Sequence, residues 1–205
     1  MNASGSRQFL AYLTIAGGAV LLFLGARDFF EWRFGQSEVA QDFGSSVAVA
    51  QAASLPANAV APSTPRRGDA VAKIVIPRLD TQLFVVEGDG TRELRRGPGH
   101  LIGTAMPGSN GNCVIAGHRD THFRVLKDIR KGDDIVLETP SGEYLYRVKS
   151  TRIVSPQNTS ALQPTSSPQL NLITCYPFFY VGSAPKRFVV EAELAGAVAS
   201  APGPS

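Results

Sequence analysis

From residue 68 onward the apolar positions fall into short runs cut by Gly, Pro, Asp and Asn, and no stretch holds the 3.6-residue period of an amphipathic helix. The runs AKIVIPRL (72–79), LFVVEG (83–88), GNCVIAGH (111–118), DDIVLET (133–139), EYLYRVKSTRIV (143–154), LNLITC (170–175) and RFVVEAEL (187–194) predict strands. Pro140, Ser141 and Gly142 supply a hairpin turn between the fourth and fifth runs. THFRVLKDI (121–129) reads as a short helix. Seven or eight strands with little helix make a mostly β domain, a barrel or a sandwich.

The N-terminal part has a different pattern. QFLAYLTIAGGAVLLFLGA, residues 8–26, contains no charge and lies between Arg7 and Arg27. A span of ~20 apolar residues matches the hydrocarbon core, whereas the apolar part of a cleavable signal runs ~7 to 15. We therefore expect a transmembrane anchor at 8–26 behind a short cytoplasmic N-terminus at 1–7; a signal peptide cut near AVAQAA is the alternative. Arg7 on one side and Arg27 and Arg33 on the other leave orientation undecided by charge. Residues 27–67 begin with interface aromatics and turn to Ala, Ser, Gln and Pro, the composition of a tether whose first half could form a transient helix. The end, 195–205, reads as a disordered tail, which leaves 68–194 as the folded unit.

A chain of 205 residues can bury one ordinary core, and a net charge of +3 with both signs interspersed lacks the basic stripe of a nucleic-acid binder. No nucleic-acid partner is expected.

Two cysteines, Cys113 and Cys175, narrow the chemistry. Cys113 alternates within NCVIAGH as a core residue. Cys175 taken alone can be a small buried hydrophobe, half of a disulfide with Cys113, or a nucleophile. If LNLITC and KRFVVEAEL pair antiparallel with Cys175 opposite Arg187, Ile173 faces Val189 and Asn171 faces Glu191. Alternation then turns Leu170, Leu172, Phe188, Val190, Ala192 and Leu194 inward and leaves Ile173, Cys175, Arg187 and Val189 on the outer face, a floor suited to an extended, partly apolar peptide. A thiolate attacking a carbonyl needs an oxyanion stabiliser and an acid for the leaving amine. Of the three histidines, His118 stands at a strand end before a loop, while His100 and His122 lie in loop-like sequence.

The blocks GTAMPGSNGNCVIAGHRDTHFRVLKDIRKGD and LNLITCYPFFYVGSAPKRFVV, with the order His, Cys, Arg, resemble the sortases, closest to the class D group, over most of residues 72–194. The chain departs from the family at Asn171, where the T-L-x-T-C signature has threonine. The resemblance implies an eight-stranded sortase barrel and a membrane-anchored cysteine transpeptidase outside the cytoplasm. By it, Cys175 attacks after Thr in an L-P-x-T-G/A-like sorting signal, His118 moves the proton, and Arg187 holds the oxyanion or the substrate backbone. The acceptor is an amine of a cell-envelope precursor or a protein, with water as the slow alternative. Asp120, Ile173, Thr174, Tyr176 and Val189 are the candidate substrate contacts.

No cofactor is expected. Asp133 and Asp134 resemble a turn more than a calcium site, and no ligand spacing supports a metal. A papain-like peptidase is disfavoured because His118 precedes Cys175. The remaining alternative is a noncatalytic, membrane-tethered β-barrel that binds peptides and needs neither Cys175 nor Arg187.

Overall fold

The structure, a computed structural model, describes residues 3–53 and 64–198. Eight strands form it: β1 (Ala70–Ile76), β2 (Thr81–Glu87), β3 (Gly99–His100), β4 (Asn112–Gly117), β5 (Asp134–Thr139), β6 (Gly142–Val154), β7 (Gln169–Tyr176) and β8 (Lys186–Val198). They close into a barrel in the order β1-β2-β3-β4-β7-β8-β6-β5, with β1 pairing back onto β5. The neighbours β2–β3 and β4–β7 are parallel and the others antiparallel.

All seven strand runs become strands; β5 and the middle of β6 alternate a buried with a half-exposed or exposed face, whereas β4 is buried on both faces except at Ala116. Ile74, Val85, Ile115, Leu137, Tyr146 and Leu172 are among the side chains that fill the barrel interior. The predicted short helix is a 3-10 segment, His122–Asp128, which buries Phe123 and Leu126. Asp133 accepts from both Arg78 and the backbone N–H of Arg130 in the turn before β5, and Asp134, the first residue of β5, pairs across the ladder with Arg147 of β6.

Two elements carried no sequence signal, α2 (Thr91–Arg96) and the two-residue β3, both too short to show a period. His100, read as loop, sits in β3 and is buried. Its Nδ1 lies 2.7 Å from the Glu87 carboxylate and its Nε2 lies 3.1 Å from the Ala105 carbonyl. The ring thereby fastens β3 to β2 and to the following loop.

The N-terminal helix α1 (Ala3–Ala53) corrects the reading of 27–67 as a tether. The chain is helical as far as Ala53, and its second half docks on the barrel; residues 54–63 lie outside the described residues. Val39 and Phe43 are buried against Ala70 and Val86, and the Phe43 ring lies 5.8 Å from that of Phe84. Phe84 of β2 pairs with Lys73 of β1 on one side, but because β3 is so short no strand lies on its other side. The Gln36 amide takes that place: it accepts from the Phe84 N–H at 2.8 Å and donates to the Phe84 and Arg96 carbonyls at 3.1 and 2.7 Å. The expected anchor at 8–26 lies within α1, partly among side chains outside the described residues. Among the described residues no helix is long and apolar enough to cross a membrane.

The tail reading is corrected as well. Strand β8 continues through Val198, where Ala197 and Val198 pair with Tyr144 and Glu143 of β6. Residues 199–205 lie outside the described residues.

Candidate active site

Three adjacent strands, β4, β7 and β8, bring the candidate residues together. Cys175 in β7 is paired with Arg187 in β8, and the same ladder matches Ile173 with Val189 and Asn171 with Glu191, the register the sequence predicts. In the parallel β4–β7 ladder the last pair is Gly117 with Thr174, so His118, the next residue, comes level with Cys175. Side chains of strand neighbours alternate. Asn112, Val114, Ala116 and His118 therefore share one face with Asn171, Ile173, Cys175, Arg187 and Val189, while Ile115, Leu172 and Val190 point into the core. Histidine, cysteine and arginine stand in one row across the end of this outer face.

Local packing sets each of them. Gly117 is required by close approach: a Cβ there would lie 2.6 Å from the Phe123 ring, which is fully buried. With glycine, the loop after β4 folds over Phe123, and the Phe123 N–H donates to the His118 carbonyl at 3.0 Å. The Thr174 hydroxyl donates to the Gly117 carbonyl at 2.7 Å and locks the ends of β4 and β7 side by side. Tyr176, Phe178 and Phe188 form an aromatic cluster beside Cys175, with centroids 5.2 to 6.3 Å apart. The Arg187 Nη1 donates to the carbonyls of Ala184 at 3.3 Å and Lys186 at 3.0 Å, which leaves further guanidinium N–H groups as donors.

The two cysteines differ in kind. Cys113 is fully buried and its thiol is pushed up to about 12 by burial and then by the Glu87 charge. Cys175 is only partly buried, and both cysteines are free thiols. Cys113 is thus a core residue and Cys175 the accessible thiol. His122 is buried, its Nε2 has no hydrogen-bond partner, and burial, reinforced by nearby His118 and opposed by Asp120, lowers it to about 4. It is neutral at ordinary pH, which leaves His118, exposed at the strand end, as the histidine open to solvent.

The candidate substrate contacts separate into two sets. Ile173 and Tyr176 are partly accessible and Asp120 is exposed. Thr174 and Val189 are both buried: the Thr174 hydroxyl is committed to Gly117 beneath the site, and Val189, on the outer face with Cys175, is covered. The sequence reading missed Arg119: its Nη2 donates to the carbonyls of Tyr180 at 2.8 Å and Gly182 at 3.0 Å, and its guanidinium lies 5.6 Å from the Tyr180 ring. Among the described residues no group of His, Cys, Asp and Glu is placed to hold a metal ion.

Comparison with known proteins decides the family. A sortase-domain model matches residues 74–195, which contain all of the residues just described from β4 to Arg187. The chain belongs to the sortase family. This sortase is 39% identical over 127 residues to sortase D of Bacillus subtilis, a match covering 62% of this chain and 64% of that protein. The chain thus spans a little under two thirds of that relative's length. A Clostridium perfringens sortase D5 transpeptidase superposes with a TM-score of 0.65 at 25% identity, covering 81% of this chain and 99% of that one. The catalytic domain of Bacillus anthracis SrtD gives 0.58 at 32% identity, covering 67% and 95%. The closed eight-stranded barrel of this sortase agrees with that kinship.

Proposed function

We propose that this sortase is a membrane-anchored cysteine transpeptidase that cleaves an L-P-x-T-G/A-like sorting signal after threonine and transfers the acyl part to an amine. The observation that carries the reading is the row formed by His118, Cys175 and Arg187 on three neighbouring strands, within the span matched by the family model.

In this reading the Cys175 thiolate attacks the threonine carbonyl carbon, and the electron pair moves onto oxygen. The Arg187 guanidinium donates to that oxyanion. As the tetrahedral intermediate collapses, the C–N bond breaks, the imidazolium of His118 protonates the departing amine, and a thioester remains on Cys175. An incoming amine gives its proton to His118 and attacks the thioester, and the Cys175 thiolate leaves. The amine belongs to a cell-envelope precursor or a protein; water in its place yields slow hydrolysis. Ile173, with Asp120 and Tyr176 at the margin, offers the accessible surface for the signal peptide.

An anchor at 8–26 is supported by the uncharged run and by its surface. Leu13, Ile15, Val20, Leu21, Leu22 and Phe23 on α1 are 54 to 77% exposed, and a helix apolar all round belongs in lipid or in a core. About 20 helical residues span ~30 Å. The barrel then lies on the extracytoplasmic side, where sorting signals of secreted proteins emerge.

Mass spectrometry of the full chain in detergent micelles, incubated with L-P-x-T-G and L-P-x-T-A peptides with and without a small amine, tests the activity. A Cys175-dependent acyl adduct, cleavage after threonine and an amine-linked product are expected. Peptide binding that persists unchanged in Cys175→Ala, with no adduct in the wild type, would replace this reading with a noncatalytic peptide-binding barrel.

A further inference from the structure

Asn171, which stands where the family signature has threonine, is completely inaccessible to solvent although alternation places it on the outer face with Cys175. Its Nδ2 donates to Oδ1 of Asn112 at 2.7 Å. Asn112, 4% exposed at the start of β4, in turn donates through Nδ2 to the carbonyls of Ala161 at 2.8 Å and Gln163 at 2.9 Å. Ala161 lies in the 3-10 turn Ser160–Leu162 and Gln163 caps it, in the loop that joins β6 to β7. Val114 and Val189, on the same face of β4 and β8, are also nearly inaccessible. The outer face is therefore open around His118, Cys175 and Arg187 and covered toward Asn171 and Asn112.

We propose that Asn112 and Asn171 act together as a latch that fixes the β6–β7 loop over the far end of the groove, and that they are positioning residues for the sorting signal. The inference rests on the transpeptidase reading above.

Directionality separates a latch from plain packing. Burying two amides beside valines is unfavourable unless their hydrogen bonds are made, and here Asn171 Oδ1 still has no partner. An apolar pair would fill the space without that orphan. What the amides add is orientation, since Asn112 meets two carbonyls of one turn and so defines its place and its tilt. The threonine of the signature could not substitute: its hydroxyl sits directly on Cβ, one bond short of the amide nitrogen that reaches Asn112. A released loop leaves the reacting groups in place, because His118, Cys175 and Arg187 are set by the ladder ends and by Thr174. The consequence falls on how well an extended peptide is received.

The test uses the full chain in detergent micelles and the variants Asn112→Ala, Asn171→Ala and Asn171→Thr, with the double variant Asn112→Ala/Asn171→Ala. Three quantities are compared with wild type: amide hydrogen exchange of residues 158–164, KM and kcat for an accepted sorting peptide, and the rate of Cys175 alkylation by iodoacetamide. Exchange in the loop and KM are each expected to rise about tenfold, the effect of losing one buried hydrogen bond. The expected kcat and alkylation rate stay within about twofold of wild type, and the double variant falls well short of the product of the two single effects, as coupled residues require. Should Asn112→Ala fail to fold, Asn171→Thr, which keeps a good strand former, carries the test. Unchanged loop exchange in the folded variants, or a fall in kcat at constant KM, overturns the latch. If the wild type turns over no peptide in a Cys175-dependent way, the transpeptidase reading falls and loop exchange alone decides whether the latch exists.

Discussion

Cys175 and Arg187 face each other directly across the β7–β8 ladder. Directly opposed residues of an antiparallel pair have Cβ atoms about 5 Å apart, within reach of one substrate carbonyl. Cys175→Ala should abolish acyl-enzyme formation without altering the circular dichroism spectrum. Arg187→Ala should lower kcat/KM by about 10²- to 10³-fold, the usual effect of removing an oxyanion donor. Arg187→Lys should recover only part of that, because an ammonium lacks the planar fork of donors. Single-turnover acylation rates measure all three.

The two thiols should separate cleanly in an alkylation experiment. Burial pushes the Cys113 thiol up to about 12, so at pH 8 it has almost no thiolate and no access. Iodoacetamide should label Cys175 in the folded protein and both cysteines in urea. Peptide mapping of the labelled chain reads the result, and labelling of Cys113 in the native state would contradict its place in the core.

Gly117→Ala should cost more in activity than in stability. The added methyl meets the ring of Phe123, which is fully buried in the core, at 2.6 Å. Overpacking of this kind typically costs about 1 to 3 kcal/mol. The strain falls on the residue adjacent to His118, so kcat for peptide cleavage should drop by more than tenfold while urea unfolding remains a single transition.

His122 should make the protein acid-sensitive. Its folded value of about 4 lies below the ordinary 6.5, mainly through burial. Between those pH values the unfolded chain binds a proton that the folded chain does not, so the stabilising effect is complete above pH 6.5 and is lost as pH falls toward 4. The full shift corresponds to roughly 3 kcal/mol as an upper bound. Urea midpoints at pH 7.5, 6, 5 and 4.5 should decline for the wild type more steeply than for His122→Phe, and parallel curves would assign the acid sensitivity elsewhere.

Docking of α1 can be tested separately from the barrel. Phe43 packs on Phe84 and is 7% exposed, so Phe43→Ala should weaken the contact by about 3 kcal/mol, the lower end for a buried aromatic. Amide exchange in residues 36–47 should accelerate while that of Ile115 and Leu172 in the barrel core is unchanged.

The strands were legible from period-two alternation, and once Cys175 is set opposite Arg187 the residue sum fixes the β7–β8 register that buries Leu170, Leu172, Val190 and Ala192 together; alternation alone would also allow a shift by two residues. The same alternation puts Thr174 on the opposite face from Cys175, which the sequence reading overlooks in naming Thr174 a substrate contact; its hydroxyl is committed to Gly117. The docked part of α1 left a fainter trace: Gln36, Val39, Phe43 and Val47 recur at helical spacing, but within an Ala- and Ser-rich stretch that also suits a tether. Neither β3 nor α2 is long enough to declare itself. The contact of Asn112 with Asn171 joins residues 59 positions apart through a parallel ladder, and nothing in either local sequence announces it.

Arg119 holds the turn between β7 and β8 by the carbonyls of Tyr180 and Gly182, that is, by groups every amino acid possesses. Those two hydrogen bonds do not depend on which side chains the turn carries. Val181, 98% exposed at its apex, can be exchanged while the chain between Cys175 and Arg187 keeps its course, whereas the rings of Phe179 and Tyr180 lie against the guanidinium groups of Arg124 and Arg119. This sortase thus has, beside Cys175, a surface position whose chemistry can change without any renegotiation of the barrel that supports it.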